Sequence, residues 1–278
     1  MSKFKSMFSF TGARADEKLL VEVDCTQLEV CGLAEITGDS VLIEELNSGV
    51  DIHTENAKLW QGPGVTITPE IRKKAKVMTF QLQYGAGAPK MAETLGLSEQ
   101  ECKDFIGTFY DKYTGVCAYH AALVSKRREA IEHNTPFVTL VDPCGRLYVI
   151  TQKESVTGSK YISLPELKNY PIQGFSTGGI VPILVNMMSS EIYQKMPMIK
   201  VINTVHDSIM FEVPSHVIYW LMGAVEEVFT EFPKKFKELF DYELKVTYNY
   251  DMKVGLNWEE MDKYSRDDVR YLLSNTGD

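Results

Sequence analysis

Apolar and polar residues alternate most clearly in three stretches of the chain. Leu19–Asp24 (LLVEVD) predicts a strand that ends on a carboxylate. Residues 201–213 (VINTVHDSIMFEV) hold two apolar, β-favouring runs around the polar pair His206-Asp207, which predicts a hairpin with Asp207 at its tip. Residues 242–255 (YELKVTYNYDMKVG) alternate again and predict a closing strand. A fourth pair of β-favouring runs, 136–150, surrounds Asp142-Pro143-Cys144-Gly145 and predicts another hairpin.

Helical spacing fills much of the remainder. Leu28, Cys31, Leu33 and Ala34 give an apolar face over 27–36, and DIHTENAKLW predicts a helix opening after Asp51. Gly62-Pro63-Gly64 reads as a loop. Thr68-Pro69 then sets an N-cap and a first-turn proline for a helix that runs to about Tyr84 and stops at Gly85-Ala86-Gly87. Further helices are predicted over 89–95, over 98–113 with Ser98 and Glu101 as a capping box, over 115–133, near 164–194 and over 215–240. Strand pairs mixed with helices in this way predict an α+β architecture: an antiparallel sheet backed by helices, with a mostly helical insertion.

At 278 residues, the chain can bury a large core. A hydrophobic fraction of 44% and a charged fraction of 24% are those of a globular protein. No run approaches the ~20 apolar residues of a membrane span, and the N-terminal stretch MSKFKSMFSF is too interrupted for a signal peptide. Five cysteines without CxxC spacing predict a reduced, cytoplasmic protein. A net charge of −9 weighs against broad nucleic-acid binding. Two local basic clusters, Arg72-Lys73-Lys74-Lys76 and Lys126-Arg127-Arg128, run the other way, although each also suits a solvated helix face.

The candidate chemistry begins with Asp24 and Asp207, two carboxylates at the ends of apolar strands. Burial of those strands would bring them together. Like charges so placed repel unless cations sit between them, and a pair of Mg2+ ions would serve that purpose in phosphoryl transfer. Aspartates are also common in turns, so the pair carries more than either member. The predicted helix 70–84 presents Arg72, Lys76, Phe80 and Tyr84 at steps of four, on one face that drifts roughly 40° per step. Its cationic half followed by an aromatic half matches a nucleoside triphosphate, with its anionic tail and flat base. The same spacing also describes an amphipathic helix with core aromatics. Glu29, five residues past Asp24, could crowd a ribose 2′-hydroxyl or lie on a helix surface. Asn169 and Gln173, beside Gly174, Gly178 and Gly179, suit either a base-pair minor groove or interhelical hydrogen bonds. His206 could meet a primer phosphate or cap its own turn.

Taken together, these residues resemble the polymerase core of family A DNA polymerases. DCTQLEVCGLAEITGD is similar to motif A, RKKAKVMTFQLQYG to motif B and VHDSIMFEV to motif C, with DIHT, YPIQG and GLNW between and after them. The resemblance runs from about residue 6 to 260. It implies a right-hand polymerase lacking its thumb: an antiparallel palm sheet (1–60 and 161–278) with a helical fingers insertion (61–160). It implies DNA-directed DNA synthesis, with primer-template DNA and dNTPs as partners and two Mg2+ ions, replaceable by Mn2+, on Asp24 and Asp207. Arg72 and Lys76 would hold the triphosphate, and Phe80 and Tyr84 the nascent base pair. Glu29 would exclude ribonucleotides, with Gln27 and His53 around the nucleotide. Asn169, Gln173 and His206 would meet the primer-template.

The chain departs from the family pattern at Ser208, where a Glu is usual, at Gln81, where a Gly is usual, and at Cys31 and Pro165, where basic residues are expected. Motif A begins only some two dozen residues from Met1. The expectation is therefore the C-terminal part of a split bacteriophage polymerase, with a second polypeptide supplying thumb, early palm and any exonuclease. Two other readings stay open: a single-subunit RNA polymerase, against which Glu29 and the DCTQLE and YPIQG segments argue, and a primer-template scaffold without independent catalysis.

Overall fold

A computed structural model describes residues 18–275. The N-terminal stretch considered above for a signal peptide lies outside them. The chain divides into two compact units: one made of the segments ending at Leu28, running Ser176–Leu244 and starting at Tyr248, the other of Glu29–Phe175 with Lys245–Thr247.

The first unit is built on a five-stranded antiparallel sheet. Its strands are β1 (Lys18–Cys25), β6 (Lys200–Val205), β7 (Ser208–Pro214), β8 (Tyr250–Gly255) and β9 (Met261–Ser265), in the order β6-β7-β1-β8-β9. Alternation gives the sheet two distinct faces. Val21 and Val23 lie in register with Phe211 and Ile209 on one side and with Val254 and Met252 on the other. Helix α10 (Ile218–Phe240) buries Leu221, Val225, Val228, Phe229, Phe232 and Phe236 at helical spacing. The Phe229 ring lies 4.7 Å from that of Tyr250 on β8. The opposite face carries a small apolar patch, Leu20, Met210 and Trp258, together with the charged positions Glu22, Asp24, Asp251 and Lys253.

Three expectations need correction here. The closing strand spans only Tyr250–Gly255, because residues 245–247 spend their backbone groups on side chains of the second unit. Lys245 and Val246 N–H donate to Glu35 Oε1 at 2.8 and 2.9 Å, and Thr247 N–H donates to Asn47 Oδ1 at 2.7 Å. The helix expected near 164–194 breaks into α8 (Leu164–Phe175), a π-turn at Ser176–Ile180 and α9 (Val181–Lys195). Pro182 has no N–H for the Gly178 carbonyl, and Gly178-Gly179 let the helix widen there. Strand β9 and helix α11 (Arg266–Asn275), unforeseen in the sequence, follow β8. Arg266 fastens them: it is buried, donates to both carboxylate oxygens of Glu226 at 2.8 and 3.0 Å and donates to the Tyr248 carbonyl at 3.1 Å.

The second unit is mostly helical: α1 (Leu28–Thr37, of which Leu28 belongs to the first unit), α2 (Ser40–Asn47), α3 (Ile52–Gln61), α4 (Pro69–Gln83), α5 (Ala88–Leu95), α6 (Glu99–Lys112), α7 (Thr114–Glu132) and α8. Hairpin β2 (Phe137–Val141)/β3 (Leu147–Thr151) and a two-residue ladder, β4 (Lys153–Glu154)/β5 (Lys160–Tyr161), complete it. The caps work as the sequence implies. Thr68 Oγ1 accepts from Ile71 N–H at 3.3 Å, and Ser98 and Glu101 form their reciprocal box. Helix α2, not foreseen, is capped by the buried Asp39, which accepts from Leu42 N–H at 2.9 Å and, through its other oxygen, from Gly115 and Val116 N–H at 2.6 and 3.2 Å. One carboxylate thus caps both α2 and α7. A Cβ at Gly115 would fall 2.8 Å from the Asp39 Cα, so the approach requires glycine. The buried Asn56 Nδ2 donates to Thr79 Oγ1 at 2.9 Å and ties α4 to α3. Among the described residues no helix is long and apolar enough to cross a membrane.

Candidate active site

Asp24 is the penultimate residue of β1, in register with Ser208 on β7 and Asp251 on β8. Asp207 occupies the two-residue turn before Ser208, beside His206 at φ +54°. Cys25 N–H donates to the Asp207 carbonyl at 3.1 Å, which ties the turn to the end of β1. The structure therefore brings the two aspartates together at one end of the sheet. Burial raises the Asp24 pKa first. The Asp207 charge raises it further, Lys253 works against the rise, and Glu22 and Asp251 add to it. Ser208 is buried and donates its hydroxyl to the Val205 carbonyl at 3.1 Å, a bond within the turn. His206 is exposed and, with Thr204, lines a groove along α9 that includes Thr177, Asn186 and Ser189. Gln27 sits at φ +53° in the turn between β1 and α1.

The second unit gathers another set. On α4 the Phe80 and Tyr84 rings stack at 6.0 Å, the buried His53 ring lies 5.5 Å from Phe80, and Lys76 Nζ is 5.6 Å from the Phe80 centroid. Tyr84 donates its hydroxyl to Glu29 Oε2 at 2.6 Å, and burial and the Glu29 carboxylate both push the phenol pKa up. Burial and the nearby Lys76 charge pull His53 down to about 4, so it is neutral at ordinary pH, and its buried Nδ1 has no hydrogen-bond partner. Asn169 Nδ2 donates to Gln173 Oε1 at 3.4 Å on α8, and Asn169 Oδ1 is buried without a partner.

Four residues beside these two separate sets escaped sequence reasoning. Asp51, taken only as a helix start, receives a two-pronged bond from Arg72, Nε to Oδ2 at 2.5 Å and Nη2 to Oδ1 at 2.9 Å. Burial raises its pKa, but Arg72 and Thr54 outweigh that and hold it at about 2. Glu22 lies two positions before Asp24 on β1, Asp251 opposite Asp24 and Lys253 opposite Glu22 on β8. Their signal was charged residues at alternate positions of otherwise apolar strands. Of the other departures from the family pattern, Cys31 is buried with its thiol pKa raised to about 12, the Pro165 backbone packs against Gly85, and Gln81 Oε1 is buried without a hydrogen-bond partner.

Among the described residues no group of three or more His, Cys, Asp or Glu side chains is arranged to hold a metal ion. Mg2+, however, is commonly held by one or two carboxylates plus substrate phosphates and water. Two hard oxygen donors at one sheet end, one of them partly buried and carrying unfavourable like-charge interactions, fit such a site.

Residues 2–260 match the family model described as DNA polymerase family A. The chain belongs to that family. It is 26% identical over 219 residues to DNA polymerase I of Lactococcus lactis subsp. cremoris, covering 78% of this chain and 24% of that protein. To DNA polymerase I of Caldicellulosiruptor bescii it is 27% identical over 248 residues, covering 87% and 27%. The chain thus spans about a quarter of the length of these curated relatives. The fold matches the POL domain of Pol1 from M. smegmatis in complex with DNA primer-template and dNTP, with a TM-score of 0.70, 25% identity, and coverage of 92% of this chain and 42% of that one.

Proposed function

We propose that this chain carries the catalytic core of a template-directed DNA polymerase, which joins a dNMP to a primer 3′-hydroxyl with loss of pyrophosphate. The observation that carries the reading is the pairing of Asp24 and Asp207 at one sheet end, tied by the Cys25–Asp207 backbone bond. Asp24 and Asp207 would hold two Mg2+ ions, with Mn2+ as substitute, and these would supply charge neutralisation at the attacking and leaving oxygens. In this reading 1–60 and 161–278 are the palm and 61–160 supplies the fingers, a division by resemblance whose boundaries differ from those of the two compact units.

Arg72 and Lys76 bind and orient the triphosphate. Arg72 does so with a guanidinium already aligned by Asp51. Phe80 and Tyr84 offer stacked rings to the nascent base pair. Glu29 is fixed by Tyr84 and bars a ribose 2′-hydroxyl by bulk and charge. Gln27 and the neutral His53 lie around the nucleotide, with His53 Nδ1 open to a polar contact. Asn169 and Gln173 read the minor-groove acceptors that all base pairs share, and His206 meets the primer strand. In this reading a second polypeptide would supply thumb and early palm.

The test is incorporation of the templated dNMP on primed DNA by wild type, Asp24→Asn and Asp207→Ala. The reading expects loss of product in both variants with primer-template binding retained. Ribonucleotide incorporation as efficient as that of dNTPs would favour an RNA polymerase instead.

A further inference from the structure

The face of the sheet that carries Asp24 also carries an ion cluster for which the transfer reaction has no evident use. Register sets Glu22 opposite Lys253 and Asp24 opposite Asp251 between β1 and β8, and Lys253 opposite Lys263 between β8 and β9. Positions 22 and 24 share a face by the period of two. Lys253 Nζ donates to Glu22 Oε2 at 2.9 Å and lies 3.6 Å from Asp24 Oδ2. Lys263 Nζ lies 2.7 Å from Asp251 Oδ2 and so engages the other flanking carboxylate. Glu22 is 5% exposed. A carboxylate so buried is costly unless paired, and a pair of this kind adds little stability over apolar residues of similar volume. What the Glu22–Lys253 pair does accomplish is placement: it fixes an ammonium against one oxygen of Asp24.

We propose that Lys253, held by Glu22, is a positioning residue whose ammonium, 3.6 Å from Asp24 Oδ2, makes divalent-metal binding at Asp24 and Asp207 depend on the nucleotide. The inference rests on the reading of those aspartates as a metal centre. A divalent ion approaching alone meets a fixed positive charge and must share Asp24 with it. An ion arriving on a triphosphate brings the nucleotide's negative charges, which offset the ammonium. Lys253 thus weakens metal binding to the free protein more than metal binding in the presence of dNTP.

The experiment is Mn2+ titration followed by electron paramagnetic resonance of the free ion, on the full chain, with and without a dNTP. The variants are Lys253→Met, the charge-balanced pair Glu22→Gln/Lys253→Met, Lys253→Arg, Asp24→Asn and Asp207→Ala, each checked for fold by circular dichroism. The proposal expects Lys253→Met and the double variant to bind Mn2+ without nucleotide at least about threefold more tightly, the scale of one partly exposed charge contact. It expects a smaller change with dNTP present and near wild-type behaviour for Lys253→Arg. Should Lys253→Met fail to fold, the double variant decides. Equal or weaker Mn2+ binding by the neutral variants, with binding still lost in Asp207→Ala, overturns the proposal and leaves the metal centre standing. Wild-type Mn2+ binding unaffected by either Asp24→Asn or Asp207→Ala overturns both.

Discussion

The Tyr84 hydroxyl donates to Glu29 Oε2 at 2.6 Å, linking the end of α4 to the start of α1. Hydrogen bonds to an ionised acceptor are short and roughly twice as strong as neutral ones. This bond holds the Glu29 side chain in one place, which a carboxylate must be if it is to exclude a sugar hydroxyl. Glu29→Ala is expected to lower the preference for dNTP over rNTP by more than about tenfold, the scale on which filling or emptying a small pocket changes selectivity. Tyr84→Phe keeps the ring and frees the carboxylate, so it should relax selectivity in the same direction but less. Ratios of kcat/KM for matched dNTP and rNTP check both. Unchanged selectivity in Glu29→Ala would remove Glu29 from the gate.

Asp39 holds two helices of the helical unit together. One buried carboxylate satisfies the first-turn N–H of α2 and two N–H groups of α7. Asp39→Ala leaves those donors buried and unpaired and is expected to cost about 2 to 4 kcal/mol. Urea unfolding should show a lower midpoint, with far-UV circular dichroism at zero urea retained. A loss below about 0.5 kcal/mol, the range of ordinary surface substitutions, would show that water replaces the cap.

Two buried histidines give stability a defined pH dependence. Burial and the Lys76 charge bring His53 from 6.5 to about 4, and burial and the Lys168 charge bring His120 to about 3. Both are neutral in the folded chain, whereas the unfolded chain takes up protons near 6.5. Their contribution is therefore complete above pH 6.5 and is lost as pH falls towards about 4 and about 3. Between pH 7.5 and pH 5 the stability should fall by about 2 to 4 kcal/mol. The Asp51–Arg72 pair acts lower, over the window from 3.8 to about 2. A urea midpoint that stays level from pH 7.5 to pH 5 would contradict the buried, neutral assignment.

Much of this architecture is legible in the sequence where local patterns decide it. The strand alternation and the polar turn identify β1, β6 and β7, and Thr68-Pro69 and the Ser98–Glu101 box mark helix starts that the structure retains. The proximity of Asp24 and Asp207 follows from the same patterns, since Asp24 lies at the end of one strand and Asp207 in the turn between two others of the same sheet. What stays hidden is set by distant partners. The alternation over 242–249 does not become a strand because Glu35 and Asn47, some 200 residues away, take its backbone donors. The bond from Arg72 to Asp51 crosses 21 positions, and the approach of Lys253 to Asp24 depends on strand register that no local spacing encodes. Helix α2 does carry a local signal, Asp39 as an N-cap three residues before Leu42; what no local pattern shows is the reach of that carboxylate to α7, over 70 residues further on.

The most direct test of the central claim is single-nucleotide extension of a short self-priming DNA hairpin with Mg2+. The hairpin is supplied at a concentration where fluorescence anisotropy shows it bound, so that duplex grip does not limit the outcome. The account predicts addition of the templated dNMP by wild type and loss of product in Asp207→Ala, which still binds the hairpin. Product that survives Asp207→Ala, or none from wild type with hairpin and dNTP both bound, would contradict it.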